Sequence, residues 1–418
     1  MRWFWIFAIL TFPLSGQAFT LLGAANYGDL AQGHNAKSLA LGATSVAVET
    51  GAAALFTNPA ALTRVNRAYS EASFGIIYSR EIVSQKVFDS FESTIGDAAI
   101  ATNKTVNGFP YLGGFVIPLD LFGLSKNYVV SLGYTSLYDF HYEHEQENRD
   151  SEYQITNTLA YSSEGSLNSF SLGFAAHPFP VLSMGASVHI LTGEHTIHFE
   201  YDDRSTSDET DEVWGMDYEN LSGYNLSLGV LVQPLAVRDR FTVGAYLQTP
   251  AEISGDQSMS VDVLSTDRQV TYPLRAGLGI DYMPRNPLVS RLVADFIYNN
   301  YSQMEDDNNP DLDLEDTVEF HVGLEHVLAE NVPVRIGFYW EPTATDNDLA
   351  STFLTFGSGY QVDYFMLDIG VKLGKRNYRD GDVSYNANNQ AVFDRIQIED
   401  VKIEETYGQL IATLKYGF

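Results

Sequence analysis

Alternation constrains this chain more than any other feature. From Asn127 to Glu145, Tyr128, Val130, Leu132, Tyr134, Tyr138, Phe140 and Tyr142 fall on one face of an extended chain. Ser131, Gly133, Thr135, Asp139, His141 and Glu143 fall on the other. A period of two residues is the signature of a β-strand with one apolar face. A strand in a soluble sheet also alternates, but it typically stops after about 5–6 residues. The same dyad returns in Phe365 to Gly374, Val334 to Glu341, Tyr224 to Gln233 and Val318 to Glu325. In each, one face is apolar with rings near its ends, and the other carries Gly, Ser and charge. A lipid-facing exterior and a polar interior produce this pattern.

The connections alternate as well. Short ones carry turn chemistry: His177-Pro178-Phe179-Pro180, Gln233 to Arg240, Pro284 to Leu288 and Leu328 to Val332. Long ones are polar and acidic: Glu81 to Gly108, Asp202 to Asp217, Gly255 to Gln269, Ser302 to Asp316 and Asn377 to Asp394. Short turns at one end and long loops at the other are the arrangement of an outer-membrane barrel. The expected fold is therefore all-β, a transmembrane antiparallel β-barrel of about 14 strands. The expected strands are 68–80, 110–118, 127–145, 152–177, 181–200, 218–233, 241–254, 267–283, 289–302, 316–328, 332–342, 351–361, 363–376 and 401–418. The last ends on Phe418 in mid-pattern, as a closing strand would.

Composition narrows the setting. The net charge is -30, which excludes a nucleic-acid partner gripped through phosphates by clustered Lys and Arg. There is no cysteine, so the chain is no disulfide scaffold. Arg2, the apolar run Trp3 to Leu14 and the small-x-small triplet Gly16-Gln17-Ala18 read as a secretory signal peptide over 1–18. The barrel is expected over 68–418, which leaves 19–67 between signal and barrel. That segment is too apolar for a disordered tail. Its Gly42 to Thr63 portion is rich in small residues and closes on Asn58-Pro59-Ala60-Ala61-Leu62. A barrel of about 14 strands is too wide for its own side chains to fill, so the segment is expected as a plug in the lumen.

Lys37 to Ala43, Ser45 to Glu49 and Asn58 to Leu62 resemble the N-terminal hatch of the FadL family of outer-membrane channels, and also the related PorV-like proteins. The resemblance implies a channel for facilitated diffusion of long-chain fatty acids or other hydrophobic compounds across the Gram-negative outer membrane. In it, Asn58, Pro59, Ala60, Ala61 and Leu62 would block the lumen as a gate. It also implies a sideways exit at an inward kink of the third strand, for which Gly133 and Ser136, with Asp139 nearby, are the candidates. The PorV-like alternative is a structural or interaction barrel serving a secretion system. The expected partners are hydrophobic small molecules and outer-membrane lipid, with the barrel acting as a monomer.

Other chemistry is weakly represented. His195 and His198, like His141 and His144, are three apart, which on a strand sends them to opposite faces and makes a poor chelate. The acidic run Glu305 to Asp316 lacks the glycine of an EF-hand loop and reads as a solvated loop. No nucleophile elbow is present, so no enzymatic activity, metal or cofactor is expected. Asp295, Glu319, Glu325, Arg335, Asp368, Lys372 and Lys415 fall on inward faces and are expected to line a wet, screened lumen.

Overall fold

The computed structural model describes residues 27–88, 91, 93–122, 127–149, 154–203, 212–234, 240–259, 262–285, 289–310, 312–328, 332–344, 349–380 and 401–418. The signal peptide expected over 1–18 lies outside the described residues.

Fourteen antiparallel strands close into a barrel. In chain order they are β1 (Tyr69–Phe88), β2 (Thr94–Pro118), β3 (Tyr128–Asp139 and Tyr142–Arg149), β4 (Ile155–Phe179), β5 (Leu182–Asp203), β6 (Glu212–Val232) and β7 (Phe241–Gln248 and Ala251–Met259). Then follow β8 (Asp262–Tyr272 and Arg275–Tyr282), β9 (Ser290–Asn299), β10 (Thr317–Leu328), β11 (Val332–Pro342), β12 (Ala350–Val362), β13 (Phe365–Asp380) and β14 (Val401–Gly417). The barrel closes where β14 pairs with β1, from Gly417 opposite Tyr69 to Lys402 opposite Ser84.

The burial pattern is inside-out relative to a soluble protein. On β13, Leu367 is 47% exposed, while Asp368 beside it is 1% and Lys372 is 6%. On β5, Met184, Val188 and Ile190 face outward, and Ser183, Ser187 and His189 are buried. A strand that buries its charges and exposes its aliphatic residues has lipid outside and a polar interior.

Several of the expected loops are strand. Glu81 to Gly108 is most of the β1–β2 hairpin, and Gly255 to Gln269 is the top of the β7–β8 hairpin. In both the strict apolar–polar alternation is lost above the apolar band; on the β1–β2 hairpin Val83, Ile100 and Ala101 pack inward with Ile403 while polar residues are interspersed. β7 and β8 are interrupted at Thr249-Pro250 and Pro273-Leu274. A proline cannot donate to a ladder, and it pushes the residue before it out of regular pairing geometry.

The lumen is filled by residues 27–68. Asn35 caps a short helix, α1 (Ala36–Ala40), by accepting from the Ser38 N–H at 2.9 Å. Two 3-10 turns follow, Ala52–Phe56 and Pro59–Arg64. The alanines at 36, 40, 47, 52, 53, 54, 60 and 61 are all fully buried. Small side chains allow this because segment and wall meet backbone to backbone. A Cβ on Gly337 would collide with Gly42 N, and one on Gly229 would collide with Asn58 Oδ1. The inward glycines of β6 and β11 thus form part of the seat for this segment.

Candidate functional site at the third strand

β3 is where the wall departs from a regular ladder. From Val129 to Thr135 it pairs with β2 on one side, ending at Thr135 opposite Leu112. Pairing with β2 resumes only at Gln146 opposite Ala101. Toward β4 the ladder shifts register between Ser136 and Tyr138. The strand then breaks at Phe140, whose N–H donates to Gly165 O at 3.1 Å. Gly165 has φ +124, and any side chain there would strike the Glu194 carbonyl.

The register shift corrects the sequence reading of this strand. One extra residue moves every later side chain to the other face. Leu132 points outward as expected, but Tyr138, Phe140 and Tyr142 are buried inside. The histidine pair is affected too. His195 and His198 take opposite faces, buried and exposed respectively. His141 and His144 are both buried, because His141 stands in the break and strand spacing does not apply to it.

Of the two kink candidates, Gly133 lies in regular two-sided pairing with Gly114 and Ser171, and its face packs on Leu55 and Phe56. Ser136 stands at the start of the unpaired stretch. On the other side of the gap, β2 carries Pro110, Phe109 and Tyr111. Pro110 has no N–H to offer a neighbour, which suits a strand that has lost one.

The free edge of β3 is covered from inside by the lumen segment. Asp29 and Leu30 pair antiparallel with Asp139 and Tyr138, and Ala31 N–H donates to Leu137 O at 2.9 Å. Between this added strand and β2 lies a cleft of about 30 Å³, room for about one water, lined by Phe109, Tyr111, Ser136, Leu137, Lys372 and Tyr407 among others. The Lys372 ammonium sits 4.2 Å from the Tyr407 ring centroid and 4.9 Å from that of Phe353. Such cation–π placement holds a charge against apolar surface.

The segment is tied at both ends and in the middle. At the long-loop end, Tyr27 OH donates to Asp306 Oδ2 at 3.0 Å, and Arg268 Nε donates to Asp306 Oδ1 at 3.0 Å. Asp306 is buried, so the acidic run is not wholly a solvated loop. Burial pushes the Asp306 carboxyl up, but the Arg268 hydrogen bond and charge outweigh this and hold it below its ordinary value. In the middle, Asp295 accepts from Ser45 and Val46 N–H, and His321 bonds Gly42 O at 2.7 Å. Nearer the short-turn end, Asn35 donates to Glu49 and Glu71, and Glu71 pairs with Lys415 at 3.1 Å. The inward charges expected to line a wet lumen are instead largely committed to the segment and to each other.

Asn58 is the most connected residue of the small-residue run. It is fully buried, and its Nδ2 donates to Val46 O at 2.8 Å and to Val230 O at 3.1 Å. Its Oδ1 accepts from Ala60 N at 3.1 Å, capping the Pro59–Arg64 turn. Pro59, Ala60, Ala61 and Leu62 are buried beside it. Sequence reasoning found this group and the acidic run that holds Asp306, but missed Tyr27 and Arg268. Tyr27 lies 279 residues from Asp306 and Arg268 lies 38 residues from it, and no local pattern marks the pairing.

Comparison with known proteins places this geometry. No protein-family model matches the chain, and no curated protein sequence matches it. Solved structures do. A Pseudomonas aeruginosa FadL homologue superposes with a TM-score of 0.69 at 11% identity, covering 94% of this chain and 100% of its own. The fold is that of the FadL-type outer-membrane channels. The Pseudomonas putida toluene transporter TodX gives a TM-score of 0.61 at 14% identity, over 93% of this chain and 99% of its own. The Ralstonia pickettii toluene transporter TbuX gives 0.57 at 15%, over 93% and 99%. A FadL-type barrel with this apolar belt belongs in the outer membrane of a Gram-negative cell.

Proposed function

We propose that this FadL-type chain is an outer-membrane channel for hydrophobic compounds, long-chain fatty acids or small hydrocarbons, which cross by facilitated diffusion. Residues 19–67 act as its hatch, with Asn58 to Leu62 as the seated core of the gate. The exit is sideways, through the wall between β2 and β3. One observation carries the reading: the unpaired stretch of β3 is covered not by β2 but by the chain's own Asp29 to Ala31. A backbone edge left open inside a bilayer costs several kcal/mol per unsatisfied group, so a removable cover makes a gap tolerable when closed. The phenyl and phenol rings of Phe109 and Tyr111 give an apolar solute a surface to slide along. Several of the charges elsewhere in the lumen are paired, Arg335 with Glu325 and Asp368, and Lys415 with Glu71. Similar barrels described as FadL and toluene transporters support the substrate class.

Proteoliposome uptake tests this. The intact chain should admit labelled hexadecanoate or toluene and exclude glucose. A chain lacking 27–63 should admit all three. Equal glucose entry with and without the segment would sink the gate, and no hydrophobic uptake by the intact chain would sink the channel.

A further inference from the structure

β13, β14, β1 and β2 are neighbours in the wall, and their register lines up outward side chains in rows across the four strands. One row is Leu373, Gly408, Tyr78 and Val106, with Leu373 and Val106 exposed as part of the apolar belt. Two residues nearer the long-loop end, the next outward row is Lys375, Thr406, Arg80 and Lys104, all exposed. Four residues beyond that, Arg379 stands opposite Lys402. Strands about 4.8 Å apart and a rise of about 3.4 Å per residue put Lys375, Arg80 and Lys104 on a line about 14 Å long, about 7 Å along the strands from the apolar row. Long loops mark the outer side of such a barrel, so the line stands at the head groups of the outer leaflet.

Protein acids occupy only part of this patch. Arg379 pairs with Asp97 at 3.4 Å, and Lys402 with Glu404 at 3.0 Å. Glu404 also lies within electrostatic reach of Lys375 and Arg80. Arg80, Lys104 and Lys375 themselves form no ion pair among the described residues. The Lys104 ammonium instead lies 5.8 Å from the Tyr78 ring centroid. Five cations thus face two carboxylates, in a chain whose net charge is -30. Around the barrel the sign reverses: toward the same end, β3 to β5 expose Glu143, Glu145, Glu164 and Glu194. A positive patch confined to four adjacent strands, with acid beside it, draws anions to that side of the wall alone.

We propose that the outward face of β13, β14, β1 and β2 binds the phosphorylated glycolipid of the outer leaflet, lipopolysaccharide. Its lipid A phosphates take charge-assisted hydrogen bonds from Lys375, Arg80 and Lys104. Its acyl chains lie on Leu373, Tyr78 and Val106, and its anionic sugars meet Lys402 and Arg379. The site rests on the barrel's place in the outer membrane and not on transport, so a chain that binds the glycolipid yet transports nothing overturns the channel reading alone.

The test is equilibrium binding of bis-phosphorylated lipid A, and of the same lipid A stripped of both phosphates, to the purified chain in a nonionic detergent. A cation beside an anionic lipid surface is worth about fivefold in affinity, so three give roughly a hundredfold. The parent should prefer the phosphorylated form by about that factor. Arg80→Gln, Lys104→Gln and Lys375→Gln combined should remove the preference and leave the affinity for the stripped form unchanged. The charge-preserving set Arg80→Lys, Lys104→Arg and Lys375→Arg should keep most of it. Arg285→Gln, exposed at the short-turn end, should leave it intact. Heat-dependent gel migration checks that each barrel is folded. Phosphatidylglycerol should compete poorly with lipid A, and equal competition would overturn the assignment to the glycolipid. Equal affinity of the parent for the two forms, or an undiminished preference in the folded Gln variant, overturns the site.

Discussion

Asn58→Asp separates two roles that one side chain combines. The substitution changes almost no volume and keeps the oxygen that caps the Pro59–Arg64 turn through Ala60 N–H. It removes the donor that Asn58 gives to Val46 O and Val230 O, at 2.8 and 3.1 Å. A carboxylate would then face two buried carbonyls. Each buried polar group left without a partner costs roughly 1–3 kcal/mol, so two cost about 2–6 kcal/mol. Val230 belongs to the wall and Asn58 to the segment, so the loss of that bond falls on the seating of one against the other, and the loss of the Val46 bond on the segment's own fold. A loss of about 3 kcal/mol lowers the ratio of seated to unseated segment by more than a hundredfold. Single-channel conductance in planar bilayers is the assay, because an unseated segment admits ions. The parent should be nearly silent and Asn58→Asp should open frequently, with heat-dependent gel migration unchanged. Parental conductance from a folded Asn58→Asp barrel would refute the reasoning.

Three further outcomes follow from the same geometry. Gly337→Val should place a side chain against Gly42 backbone, cost about 1–3 kcal/mol of overpacking and make the barrel leaky to a large antibiotic in cells. Gly133→Val should strike Leu55 and Phe56 and lower hydrophobic uptake. Unchanged uptake with a folded barrel would remove that position from the pathway. The third concerns pH at the Tyr27–Asp306–Arg268 tie. The Asp306 carboxyl is held below its ordinary 3.8, so its contribution is complete above that pH and lost as pH falls through the depressed value. Protease protection of the segment's first residues should therefore be flat from neutral pH to about 4 and drop below it, and Asp306→Asn should remove the pH dependence.

The barrel was legible in the sequence because lipid enforces a strict dyad on every strand that crosses it. Phe365 to Leu373 and Val318 to Leu324 obey it and were placed correctly. The tops of β1, β2, β7 and β8 leave the bilayer and lose the strict dyad, so the sequence alone points to loops there. The lumen segment was legible through its small residues and Asn58-Pro59. Its partners were not, since the glycines that seat it look like any other inward glycine until the backbone facing them is known. At β3 a single extra residue between Ser136 and Tyr138 reversed the faces of everything beyond it. Period counting cannot detect such a shift. Pro110 in β2 is a usable signal for the gap, although the period-2 pattern places it at the start of a strand.

The central claim is that hydrophobic compounds leave through the wall between β2 and β3. Its most direct test is the anomalous signal of a brominated fatty acid in crystals of the full chain. The account predicts bromine beside Phe109, Tyr111 and Leu137, with Asp29 to Ala31 displaced from the β3 edge. Bromine confined to the outer apolar belt, with that strand pairing intact at saturating compound, would contradict it.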